Sequence, residues 1–220
     1  MNRRSLPVAA ALATAAALLL TACGGGGDSK SKDSDSDKIA GADTGASKPT
    51  SPSPSASTAP GRPKITLPSD MSYTFDWPKT GNKEKDAILS DGEQFIKATD
   101  LAVTNQDPLD KAYRFYSEGE VSVATQKYVQ EYVNDKARMT GKFRFYDATV
   151  TVSKDKTATL VYCEDQGKAF DLHIKTKKID KTPVTSNSYI LYNTALRKND
   201  LGVWVTTKMI SLRGNSKCQP

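Results

Sequence analysis

Hydrophobic positions recur along this 220-residue chain with different periods in different stretches. Between about Lys83 and Asn105, Ile88, Phe95, Ala98 and Ala102 return near helical spacing with Lys and Asp between them, which predicts an amphipathic helix. Asn82 or Thr80 is placed to cap its start, and Asn105-Gln106-Asp107-Pro108 stops it, because proline cannot extend the hydrogen-bond ladder. Leu109, Ala112, Tyr113 and Tyr116 mark the apolar face of a short second helix that ends before Gly119. Val121, Ala124, Tyr128 and either Tyr132 or Val133 mark the inward face of a third, from about Val121 to Lys136. After Gly141 the period falls to two. Phe143 to Val152, Thr157 to Glu164, Ala169 to Lys177, Tyr189 to Leu196 and Val203 to Leu212 all read as strands. The turns expected between them are Lys154-Asp155-Lys156, Asp165-Gln166-Gly167-Lys168, a polar loop around Pro183, and Lys198 to Gly202. Helices first and a meander of antiparallel strands last make an α+β fold, with the helices covering one face of a strongly bent sheet.

The N-terminal stretch follows none of these periods. Arg3 and Arg4 precede an apolar run from Val8 to Leu20, and Leu20-Thr21-Ala22-Cys23 follows it. The run is about 13 residues, short of the roughly 20 that span a bilayer, so it reads as the core of a secretory signal. The four residues ending in Cys23 resemble a bacterial lipobox. That resemblance implies cleavage after residue 22, acyl chains such as palmitate on the Cys23 sulfur and new amino group, and retention on the extracytoplasmic face of the cell membrane. The alternative is an ordinary cleaved signal that leaves Cys23 as a stray thiol. Residues 23–64 have no hydrophobic period. Gly24 to Gly27 is followed by alternating Ser, Lys and Asp, then by Pro49-Thr50-Ser51-Pro52-Ser53-Pro54. Such a composition cannot bury enough apolar area to offset its ordering entropy and reads as a tether with a reach of about 35 Å. Residues 65–220 remain as one folded domain.

From Arg62 onward 25 Lys and Arg face 20 Asp and Glu, a modest and scattered excess that argues against nucleic acid as a partner. Lys175, Lys177, Lys178 and Lys181 form the one tight basic run, either a solvated loop or a contact for anionic headgroups or wall polymers.

The order of elements resembles the nuclear transport factor 2-like cone shared by SnoaL-type polyketide enzymes and ketosteroid isomerases. Leu196-Arg197-Lys198-Asn199-Asp200-Leu201-Gly202-Val203-Trp204-Val205 is similar to the polar turn and Gly-x-Trp-x-Val that close many members. With the lipobox and tether, the whole is similar to an actinobacterial lipoprotein. The resemblance implies a cone pocket, and an enzyme of this kind would need a carboxylate or histidine inside it. Asp100, Asp147 and Glu164 are the acids nearest apolar segments, and Asp147 either points inward or forms a bulge. Tyr113, Tyr116, Tyr146 and Asp147 are the residues expected at such a pocket. His173, the single histidine, shares a strand face with Asp171, opposite Phe170, Leu172 and Ile174, and reads as a surface residue. No nucleophile motif is present, and no cofactor or metal is implied: two thiols and one histidine do not complete a zinc site. Three cysteines fit one acylated residue plus one pair, Cys163 with Cys218, or two free thiols. The function expected is that of a non-catalytic binding module on a membrane-anchored tether, meeting a cell-wall or envelope protein or glycan. The rival is a SnoaL-like lyase, isomerase or hydrolase that uses a buried acid. Oligomeric state is left open.

Overall fold

The computed structural model describes residues 60–220; the expected signal, Cys23 and almost all of the expected tether lie outside them. The elements run β1 (Met71–Asp76), α1 (Lys83–Asn105), α2 (Lys111–Phe115), α3 (Gly119–Asp135), β2 (Ala137–Val152), β3 (Thr157–His173), β4 (Ile179–Asp180), β5 (Tyr189–Lys198) and β6 (Trp204–Arg213). Single 3-10 turns, Ser186–Ser188 and Ser216–Cys218, precede β5 and follow β6. The α+β architecture expected from the hydrophobic pattern is observed, with helices laid on one face of a bent six-stranded sheet.

The sheet is mixed rather than antiparallel. β1, six residues ahead of the first expected helix, joins β2 in parallel, with Met71 opposite Gly141 and Phe75 opposite Phe145. Its short alternation, Met71, Tyr73 and Phe75 on one face, is too brief to register as a strand outside its tertiary context. The remaining strands pair antiparallel in the order β2-β3-β5-β6, with β4 hung on the end of β3.

Bulges bend this sheet. Asp147, at φ 52°, is the extra residue where Tyr146 pairs with Cys163 but Thr149 pairs with Val161. Phe143 and Phe145 face inward before it, Ala148 and Val150 after it, so one inserted residue flips the inward set and keeps both halves of β2 on the core. Asp165-Gln166-Gly167-Lys168 is not the expected hairpin turn. β3 runs through it unbroken, and the polar, glycine-bearing run supplies a bulge between the Lys142–Lys168 and Arg144–Asp165 pairs. There the Asp165 carboxylate accepts the Gly167 N–H at 2.7 Å, serving the bulge as it would have served a turn.

α1 matches its expected span, and the Asn82 side chain accepts from the Glu84 and Lys85 amides. It is more deeply buried than an amphipathic stripe implies. Asp91 is fully buried, and Gly92 lies so close to β3 that a Cβ there would stand 2.7 Å from Leu160 Cδ2. In α3 the inward positions are Val121, Thr125 and Val129, whereas the expected Ala124 and Tyr128 are exposed, one step round the helix. The second helix is also shorter than expected, with Leu109 half-exposed outside it.

One core joins these layers, with Trp204, Tyr113, Tyr116, Phe145, Ile88 and Leu160 among its fully buried side chains. The folded unit takes in Arg62, three residues before the expected boundary. Arg62 reaches Asp91 at 2.6 Å and donates to the Tyr116 hydroxyl at 3.3 Å, while the other Asp91 oxygen accepts the Trp204 amide at 2.8 Å. The expected disulfide is present: Cys163 joins Cys218 with Cα atoms 5.5 Å apart, inside the range a bridge allows. It holds the C-terminal turn against the sheet, where the Tyr146 hydroxyl donates to the Cys218 carbonyl.

Candidate functional site: a cleft over two buried acids

An open cleft of about 390 Å³ lies where α3, β2 and the far half of β3 meet the β4–β5 connection. Each wall follows from a local feature already described. Tyr128 and Tyr132 stand one helical turn apart on α3, edge to face with ring centroids 5.2 Å apart. Met139 and Phe143 come from the inward face of β2, Gln166, Ala169 and Asp171 from β3 beyond its bulge, and Asp180, Asn187 and Arg213 from the opposite rim. Had Asp165–Lys168 closed a hairpin, the strand that supplies half of this cleft would have turned away.

The polar groups at the rim hold one another. Tyr132 donates to Asp171 at 3.1 Å. Arg213 donates to Gln166 Oε1 and, at 2.7 Å, to the Asn187 carbonyl. His173 pairs with Asp180 at 2.7 Å rather than with Asp171, and remains partly exposed, as the strand alternation implied for a surface histidine. Lys178, also bound to Asp180, and His173 together hold the Asp180 carboxyl below the usual carboxylate range.

Two carboxyl groups are buried in the core beside the cleft, Asp100 reaching its wall through Tyr73 and Phe143. Asp100 on α1 accepts from the Tyr73 hydroxyl at 2.6 Å, and the Tyr73 ring stacks on Phe143 at 5.1 Å. Glu164 on β3 accepts from the Tyr192 hydroxyl at 2.9 Å, and the Tyr192 ring stacks on Tyr162 at 5.0 Å. Burial pushes Asp100 up to about 8, helped by the nearby Glu164 charge and opposed by the Tyr73 hydrogen bond. Burial also raises Glu164, against the hydrogen bonds from Gln166 and Tyr192. Desolvation drives the Tyr128, Tyr162 and Tyr192 hydroxyls well above their ordinary value, so they stay neutral hydrogen-bonding groups at any physiological pH. At pH 7 Asp100 is a neutral acid in an aromatic setting, able to give a proton. Neither acid lines the cleft itself.

Of the residues expected at a pocket, none lines this one. Tyr113 and Tyr116 are core residues whose hydroxyls meet the Pro108 carbonyl and Arg62, because α2 turns them under α1. Tyr146 lies under the C-terminal turn, and Asp147 is the exposed bulge residue. Sequence reasoning reached Asp100 and Glu164 as acids beside apolar segments, and Tyr128, Tyr132 and Tyr192 among the tyrosines that could line a cleft. It put Gln166 in a turn and left Tyr73 and Arg213 unassigned. Tyr73, Tyr192, Gln166 and Arg213 belong to four different strands, and only the fold brings them near one another. Among the described residues no cluster of three His, Cys, Asp or Glu side chains could hold a metal ion.

No protein-family model matches the chain, and no curated protein does. Among solved structures, the intermembrane-space region of the chloroplast protein ARC6 is similar at 14% identity and a TM-score of 0.38, over 62% of this chain and 99% of that one. Aln2 from a Streptomyces species is similar at 13% identity and 0.41, over 63% and 94%. A protein provisionally assigned as a ketosteroid isomerase from Shewanella frigidimarina is similar at 11% identity and 0.33, over 59% and 98%. Likenesses this loose assign no activity.

Proposed function

We propose that the chain is an extracytoplasmic lipoprotein, acylated at Cys23 and held on the cell membrane, whose folded head is a binding module on a polar tether. The anchor reading rests on Arg3 and Arg4, the apolar run Val8 to Leu20, and Leu20-Thr21-Ala22-Cys23. The binding reading rests on one observation: the cleft presents aromatic walls and a polar rim whose own acids, Asp171 and Asp180, are tied up in pairs, while the buried acids Asp100 and Glu164 do not line it. A general acid or base must come within roughly 3 Å of the reacting atom, directly or through one water. A ligand seated between Tyr132, Phe143 and Arg213 meets ring faces, an amide, a guanidinium and the two rim carboxylates, Asp171 and Asp180, which are already held by Tyr132 and by His173 and Lys178. That lining suits a molecule with an apolar face and polar edges, such as a wall glycan or a short segment of an envelope protein.

Replacing Cys23 by Ala should move the protein from the membrane fraction to the medium or soluble fraction; unchanged membrane retention would remove the anchor. Titration of the head with solubilised wall fragments should show binding that Tyr132→Ala weakens by about tenfold, roughly the 1.4 kcal/mol of one lost aromatic contact. Equal binding by the variant would take the cleft out of the proposal.

A second reading, that of a lyase, isomerase or hydrolase, is favoured specifically by Asp100, whose raised pKa keeps a proton available at neutral pH. It requires the cleft wall to open so that a substrate reaches the carboxyl. Turnover abolished by Asp100→Asn with ligand affinity kept would favour it. Recovery of every bound ligand chemically unchanged from the wild-type protein would sink it.

A further inference from the structure

The β3–β4 hairpin and the loop after it leave the sheet as a basic, almost wholly exposed projection beside the cleft mouth. Over Lys175 to Asn187 four lysines meet one acid, Asp180. Lys178 is bound to that acid and still has 72% of its side chain exposed. Lys175, Lys177 and Lys181 are exposed and form no ion pair among the described residues. The geometry that projects them is fixed. The Lys177 amide donates to the His173 carbonyl at 2.8 Å, the His173 amide donates to the Lys178 carbonyl at 2.9 Å, and Lys177 takes a left-handed φ of 60° to close the turn. Lys136, exposed at the end of α3, ties the hairpin back to the helix, its carbonyl accepting the Ile174 amide at 2.9 Å.

Apolar side chains stand exposed in the same stretch. Ile179 is 40% exposed and Val184 is 57% exposed, although neither lies in a part of the chain that lacks a nearby core. Ile179 sits opposite the buried Leu172, and Val184 lies over Gly167, where a Cβ would approach it to 3.2 Å. Ile179 and Val184 thus place exposed apolar surface within the same short stretch as the lysines. A soluble polyanion would engage the ammonium groups and leave the apolar pair in water. An anionic phospholipid surface satisfies both, with phosphates for the lysines and the headgroup–acyl boundary for the two apolar tips.

We infer that this projection is a docking surface for an anionic phospholipid bilayer, and that docking brings the cleft mouth, whose rim includes Asp180, Thr182, Pro183 and Thr185, to the membrane surface. The surface lies wholly within residues 60–220, so it stands whether or not Cys23 is acylated.

The test uses unacylated protein beginning at Gly24, which keeps every residue of the folded unit, and vesicles of phosphatidylcholine with or without phosphatidylglycerol. Co-sedimentation should show binding to the anionic vesicles alone, weakened by salt. The joint variant K175Q/K177Q/K178Q/K181Q should lose at least tenfold in partition, and I179S/V184S several-fold, with thermal unfolding of both unchanged. Because all three proteins carry the same tether, its own lysines cancel from the comparison. Equal partition of the lysine variant, or no binding by the wild type, would overturn the inference. So would binding to a soluble polyphosphate as tight as to vesicles with I179S/V184S unaffected, which would assign the projection to a phosphate polymer instead.

Discussion

Asp100 shows how one residue acquires a chemistry its neighbours in sequence do not announce. Its flanks, Ala98 and Ala102, are both fully buried, so the helix phase that buries them carries a carboxyl into the core between Tyr73 and the charge of Glu164. A folded pKa of about 8, far above the ordinary value, means the folded state holds a proton that the unfolded chain gives up near pH 4. The stability this proton confers is complete below about pH 4 and is lost as pH rises through about 8, with a slope of up to about 1.4 kcal/mol per pH unit between them. Glu164, also raised, adds in the same sense. Urea unfolding followed from pH 5 to pH 9 should therefore show falling stability, and Asp100→Asn, which keeps the shape and cannot ionise, should flatten the fall. A wild-type curve that rises over this range would refute the assignment. Asp91 has the opposite solution. It is equally buried but meets Arg62 and the Trp204 amide, so charge is matched rather than removed.

The strands are where local pattern and observed structure part most. β3 contains a run, Asp165-Gln166-Gly167-Lys168, that has turn chemistry, yet pairing along β2 on both sides of it is worth more than the turn. Its counterpart on β2 is Gly141, at φ 105° and paired with Ala169, where an added Cβ would lie 2.2 Å from the Lys168 carbonyl oxygen. That oxygen belongs to the ladder and cannot retreat as a side chain would. Gly141→Ala should cost on the order of 3 kcal/mol in chemical denaturation and open the cleft wall next to Phe143. Loss under about 0.5 kcal/mol, the usual size of a surface change, would show that the strands can separate there. The α3 stripe has a related cause. Thr125 rather than Ala124 turns inward because the helix must present Tyr128 and Tyr132 to the β2–β3 side, and that orientation sets the phase of every other residue.

Across the whole molecule, long-range links decide the shape: β1 on β2, Arg62 on α1, and the bridge that ties Cys218 back to β3 across 55 residues of sequence. Replacing both Cys163 and Cys218 by Ser should lower stability by about 2–4 kcal/mol and expose the C-terminal turn to carboxypeptidase, as measured by denaturation and by digestion time. Unchanged digestion would mean that the turn is held without the bridge, by contacts such as the Tyr146 hydrogen bond to the Cys218 carbonyl. Much of this fold was legible beforehand. The boundaries of α1, the closing hairpin around Asn199, the α+β class and the cysteine pairing all follow from short-range rules of capping, alternation and counting. The α1 cap is met by a side chain two and three residues away, and alternation needs only neighbours on one strand. Residue order also carries the run Leu20-Thr21-Ala22-Cys23 on which the proposed anchor rests and the Gly, Ser and Pro composition of residues 24–64, neither of which needs a fold to be read. Parallel β1, the bulges, the residues of the cleft and the two protected carboxyls could be settled only by folding. Each depends on which distant strand lies alongside, and partners at such separations leave no periodic trace in either segment alone.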